Sequence, residues 1–185
     1  MNRIFKLILF FSISSLFTIS TITAQNTHKY VGVKKCGMCH KKAKDGNQLK
    51  VWEDSKHANA FKTLQSAESD KIAKEKGFST KAAETPECLV CHAVGYNLDA
   101  KMLDKKFNVE DGVQCEMCHG AGSDYKAKKI MKDHAAAVAN GMTEYKDKAA
   151  IKAQCETCHN EKSPTFKSFD FEKRWAEIKH PIPKK

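Results

Sequence analysis

The sequence predicts a mainly α chain of short helices and long loops, and three observations carry that expectation. Apolar residues recur at spacings of three and four in several segments, the signature of amphipathic helices. Glycine and proline interrupt the chain between those segments, as at Gly77, Pro86, Gly95, Gly112, Gly120, Gly122 and Gly141. Mean hydropathy is −0.55 and the stretch 66–77 is almost wholly polar, so the polypeptide alone is poorly equipped to build a large core.

Four copies of Cys-x-x-Cys-His account for every cysteine: Cys36 and Cys39 before His40, Cys88 and Cys91 before His92, Cys115 and Cys118 before His119, and Cys155 and Cys158 before His159. The two-residue gap puts both thiols on one turn of backbone, in reach of the two vinyl groups of one haem. The following histidine then turns its imidazole onto the iron as the proximal ligand. Two zinc sites or a disulfide framework also use eight cysteines, but neither requires a histidine after each pair. With histidine at 8 of 185 residues, four such placements by chance have a probability of roughly a few in a million, which decides for haem. The motifs therefore predict a multihaem c-type cytochrome with four covalently bound c-type haems. Four macrocycles would supply the missing core, each hiding several hundred Å² of apolar surface and contributing on the order of 10 kcal/mol, an upper bound. Without them the chain is expected to be largely unfolded or molten.

The elements follow in chain order. Arg3 and Lys6 begin a basic segment followed by an apolar stretch over 7–22, which predicts a signal peptide over 1–24, cut after Ala24. Its serines and threonines make it a poor membrane span; membrane attachment enters only if the signal stays uncleaved. Residues 25–185 then form a single haem-bearing domain in the periplasm or another compartment outside the cytoplasm. Removing residues 1–24 leaves 161 residues and lowers the formal charge from +10 to +8. Each haem, with two ionised propionates, carries about −1 when ferric and about −2 when ferrous, so the lysines largely answer the haems. Nucleic acid is excluded as a partner, since the export signal argues the same way.

After the first motif a helix is expected over 47–64, carrying Leu49, Trp52, His57, Phe61 and Leu64. A polar helix over 66–76 stops at Gly77. A third runs over 124–139, with Met131, His134 and Val138 on one face, and a last over 170–179, with Phe171, Trp175 and Ile178, closed by Pro181. Residues 31–33 and 105–109 are candidate short strands. The first cysteines lie 52, 27 and 40 residues apart, which fits no tandem repeat.

Four irons each need a second axial ligand, and four histidines lie outside the motifs: His28, His57, His134 and His180. His57 and His134 sit on apolar helix faces and His180 follows one. His28 lies near the start of the mature chain and reads mainly as a non-ligand; among the methionines, Met102 remains a candidate.

Several stretches resemble a known family. Val33-Lys34-Lys35-Cys36 through His40, with Trp52 and Ser55-Lys56-His57-Ala58, is similar to the first haem segment of the tetrahaem cytochrome c-554 family, known from nitrifying bacteria. Gly112-Val113-Gln114-Cys115-Glu116-Met117-Cys118-His119-Gly120 resembles its third site, with Asp133-His134 following at a similar distance. The resemblance implies that His134 serves the first haem opposite His40, His57 the third opposite His119, and His180 the fourth opposite His159. It also implies a five-coordinate second haem on His92, for which His28 or Met102 would be an added ligand. The C-terminal region is shorter than the family's.

Bis-histidine iron has no vacant position, so it changes oxidation state without binding substrate. The expected function is an exported electron-transfer protein, not an enzyme, working between a redox enzyme and another carrier. The alternative is a reductase or small-ligand-binding protein acting on nitric oxide, or a similar molecule, at the second haem. No acid–base pair committed to that iron is evident in the sequence.

Overall fold

The computed structural model describes residues 28–181; the expected signal peptide over 1–24 lies outside the described residues. The helices are α1 (Val33–His40), α2 (Gln48–Glu53), α3 (Ala60–Leu64), α4 (Ala67–Glu75), α5 (Pro86–His92), α6 (Cys115–His119), α7 (Lys128–Met131), α8 (His134–Ala139), α9 (Lys148–Glu156) and α10 (Phe171–Ile178). Short 3-10 turns and loops join them. The expected mainly α fold is what the chain adopts, and among the described residues no helix is long and apolar enough to cross a membrane.

Local chemistry sets most boundaries. The side chains of Ser66, Asp133, Asp147 and Asp170 accept an amide N–H from the first turns of α4, α8, α9 and α10, each such cap contributing about 1 kcal/mol. Pro86 opens α5, where its missing N–H costs nothing. Gly77, at φ +86°, ends α4 where expected, and the N–H of Phe78 closes back on the Ala73 carbonyl at 3.0 Å.

Three expectations need correction. The single helix over 47–64 is broken into α2, a 3-10 turn at Lys56–Asn59, and α3. The reason is that this segment's polar groups serve other parts of the chain. Trp52 Nε1 donates to the Val113 carbonyl at 2.8 Å, and the Val113 N–H donates to the His57 carbonyl at 3.1 Å. Gly112 permits that approach, since a Cβ there would lie 2.8 Å from the His57 oxygen. The helix over 124–139 is likewise two, because Asp133 adopts an extended conformation to cap α8. The strands over 31–33 and 105–109 do not form. An isolated parallel bridge joins Tyr30 to Leu103, while the amides of Val31, Gly32 and Val33 turn to side chains.

Those side chains are Glu116 and Gln114, both 2 % exposed. Glu116 accepts from Val31 (2.8 Å), Gly32 (2.7 Å) and Gly122 (2.7 Å), and Gln114 accepts from Val33 (2.8 Å) while donating to the Asn108 carbonyl (2.8 Å). Burial pushes the Glu116 carboxyl above its ordinary value, and the three amides oppose that. Both its oxygens meet only donors, so the arrangement is built for the carboxylate. The apolar core beside it is thin, mostly alanine and valine, with Leu64, Ala73 and Ala82 packed under Phe78 and Leu89.

Glu116→Gln would point an NH2 group at backbone N–H donors. Such a buried mismatch costs about 2–3 kcal/mol, expected as a lowered denaturation midpoint of the haem-loaded protein; an unchanged midpoint would mean that the carboxylate is not needed there.

Candidate haem-binding site

Each Cys-x-x-Cys-His run occupies a helical turn. The first three lie within α1, α5 and α6, and the fourth runs off the end of α9, where the His159 N–H donates to the Cys155 carbonyl at 3.0 Å. All eight cysteines are free thiols. Thiols of different motifs meet. Hydrogen bonding to Cys115, with burial, pushes the Cys36 thiol far up, and burial together with the Cys158 thiol pushes Cys91 up to about 11. Cys118 is held up to about 11 by burial and by Cys155. The first motif therefore lies on the third, the second on the fourth, and the third beside the fourth. A chain that attaches one macrocycle at each would hold them close together.

The motif histidines are oriented by neighbours that the sequence did not flag. His92 Nδ1 lies 2.8 Å from the Ala60 carbonyl, which can only accept, so Nδ1 carries the proton and Nε2 keeps its lone pair. His40 Nδ1 lies 3.2 Å from Gln48 Oε1, an arrangement of the same kind. Phe169 stacks on the His159 ring, with centroids 4.6 Å apart and planes 9° from parallel. None of these partners has a sequence signature, because each is brought in by the fold.

Two of the distal candidates lie beside motif histidines, with ring planes tilted by 46° and 35°. His57 and His159 have ring centroids 6.1 Å apart, and His119 and His180 5.7 Å apart. Two imidazoles on opposite sides of one iron, with metal–nitrogen bonds of about 2.0 Å, put their centroids about 6 Å apart. These pairs therefore fit the group the motifs call for. The partners are exchanged relative to the pattern implied by the resemblance, which set His57 opposite His119 and His180 opposite His159. Burial lowers the pKa of His57, His159 and His180 and pushes His119 down to about 4, so the rings are neutral at neutral pH. Neutral imidazole is the ligating form.

The remaining candidates lie elsewhere. His134, at the start of α8, is exposed and its Nε2 is 2.9 Å from Glu144 Oε1, while the neighbours of His40 are Gln48, His119 and His180. The expected His134–His40 pairing has no counterpart among these contacts. His28 bonds Asp124 through Nδ1 and packs its ring on Gly141. Met102 meets Tyr30 through its backbone carbonyl. Neither contact is with the second motif.

Residues 35–120, which span the first three motifs, match the family described as Cytochrome c554 and c-prime. The chain is 28 % identical over 140 residues to cytochrome c-554 of Nitrosomonas europaea, an alignment covering 70 % of this chain and 57 % of that protein. This chain thus spans little more than half the length of that curated relative. No solved structure matches. Motifs and helical fold agree with both likenesses: residues 35–120 are similar to the cytochrome c-554 family, a family of c-type cytochromes whose haem is covalently bound.

Proposed function

We propose that this chain is an exported tetrahaem electron carrier, with residues 1–24 as signal peptide and 25–185 as one haem-bearing domain outside the cytoplasm. The observation that carries the reading is the pairing of a motif histidine with a non-motif histidine at axial-ligand spacing, His57 with His159 and His119 with His180. Each pair would fill both axial positions of one iron and leave no place for a substrate. Haem supplies the one-electron chemistry; the chain's part is to fix the ligands and keep the rings neutral. Ala60 and Gln48 orient the imidazoles of His92 and His40, and Phe169 braces that of His159. The donor and acceptor are redox proteins.

Haem content is the first test. Mature protein made with a c-type maturation system carries four haems that survive denaturation, read as a mass excess, and Cys88→Ser/Cys91→Ser carries three. Free thiols without haem would sink the reading.

The pairing has its own test. In a Cys115→Ser/Cys118→Ser background, which lacks the third haem, His180→Ala leaves the count of low-spin irons by electron paramagnetic resonance unchanged, whereas His57→Ala lowers it by one. The reverse result would restore the pairing that the family resemblance implied.

A second reading assigns reduction of nitric oxide or a similar molecule to an open iron on His92. The anchoring of His28 on Asp124 favours an open position there, because it ties the nearest N-terminal candidate to a different segment. An open position need not turn over, and Nδ1 of His92 faces the Ala60 carbonyl rather than a titratable group. The carrier should exchange electrons with an acidic redox protein at a rate that falls with salt. Sustained reduction of nitric oxide, nitrite or hydroxylamine at about 1 per second or faster, the low end of ordinary enzymes, would move the assignment to enzyme.

A further inference from the structure

A lysine cluster of the described surface surrounds its most exposed large apolar side chain. Residues 34–44 contain Lys34, Lys35, Lys41, Lys42 and Lys44 and no acidic residue. All but the half-buried Lys35 are exposed, and none of the five forms a salt bridge among the described residues. Met38 stands in their midst at 62 % exposure, although it is the gap residue of the first motif and has no covalent role. It lines a groove of about 350 Å³ between α1 and α2. Gly37 forms the floor, where Leu49 packs so closely that a Cβ would lie 2.8 Å from its methyl. Glu53 and Asp111 line the α2 side, so the uncompensated charge belongs to α1 and the turn after it.

We propose that this face is the docking surface for an acidic redox protein, with Met38 as the apolar centre and Lys34, Lys41, Lys42 and Lys44 as a cationic rim. The proposal rests on the carrier reading above and names the chemistry of the partner it needs. An exposed thioether side chain adapts to varied partner surfaces. A ring of one sign of charge speeds encounter and sets orientation without requiring tight binding, as a carrier that must dissociate after each turn demands. Helix α1 also carries Cys36, Cys39 and His40, so a partner seated here would contact the very element that bears the first attachment site.

The test uses haem-loaded protein and a flavodoxin of strongly negative net charge as the probe. Zero-length carbodiimide coupling at low salt joins lysine amines to carboxylates in contact, and peptide mapping locates the joints without any electron transfer. Cross-links should concentrate on Lys34, Lys41, Lys42 and Lys44. In stopped flow, Lys34→Glu/Lys41→Glu/Lys42→Glu should slow reduction by the flavodoxin about tenfold or more, against less than about twofold for Lys128→Glu/Lys129→Glu/Lys132→Glu, which makes the same charge change in the other lysine cluster. Cross-links spread over both clusters, no cross-links at all, or equal slowing by the two variants would overturn the docking face. Mapped cross-links with no electron exchange in the unsubstituted protein would leave the face standing and remove the carrier reading instead.

Discussion

A buried carboxylate holds the third motif to the beginning of the chain, and much of the architecture depends on that contact. Glu116 lies between Cys115 and Cys118, where its acceptors take the amides of Val31 and Gly32 from one side and Gly122 from the other. With Gln114 it converts residues 31–33 from a prospective strand into a tether. That tether sets α1 against α6, and their juxtaposition brings Cys36 to Cys115. The rest of the motif is gripped as closely. Tyr125 donates to the Gly120 carbonyl, Tyr145 to that of Cys118, and the amide of Thr143 to that of His119. The last carbonyls of so short a helix lack partners within it, so the fold supplies them from two later segments. The third motif thus meets both the first, through Cys36 and Cys115, and the fourth, through Cys118 and Cys155.

What the sequence made legible divides along the range of the forces involved. The motifs and the capped helices α4 and α10 could be read directly, because covalent spacing and capping act within a few residues. The breaks in 47–64 and 124–139 could not, since the apolar spacing continues through both. What ends the first helix is a demand made by Val113 from far along the chain. The second break did carry a local sign, Asp133 as a cap placed mid-pattern, which helical periodicity overrode. Glu116 shows the limit most clearly. The third and fourth motifs both contain Cys-Glu-x-Cys-His, yet Glu116 is buried in a cradle of amides and Glu156 reaches 3.4 Å to Lys152 on an open helix face. Identical local sequence acquires opposite environments from whatever packs against it.

The candidate ligands show the same division. That His57 and His180 are candidate ligands was legible from their number and their apolar neighbours, but the motif histidines they lie beside were not. Which motif a distant histidine meets depends on how the chain crosses itself, and an implied pattern shared by relatives carries that crossing only if the intervening segments match. Here the contacts group His40, His119 and His180 on one side and His57, His92 and His159 on the other. The histidine of the first motif therefore groups with that of the third and the second's with the fourth's, while Cys118 and Cys155 also bring the third and fourth motifs side by side.

That interleaving bears on why a chain with so little apolar side-chain surface would be shaped this way. Sequential pairing would let each half of the protein assemble alone and meet the other half across a single junction. Interleaved pairing makes the first half supply imidazoles or thiols beside the second half's motifs, as His57 does for His159 and Cys91 for Cys158. No attachment site then completes its surroundings until distant segments have arrived, so order at one site is coupled to order at its neighbours. For a protein whose proposed task is to pass electrons between sites, the same constraint serves function. Redox sites kept in register by shared backbone need little rearrangement when charge moves. The short helices and long loops express that requirement, since each helix has only to present one motif or one ligand and the connections have only to cross.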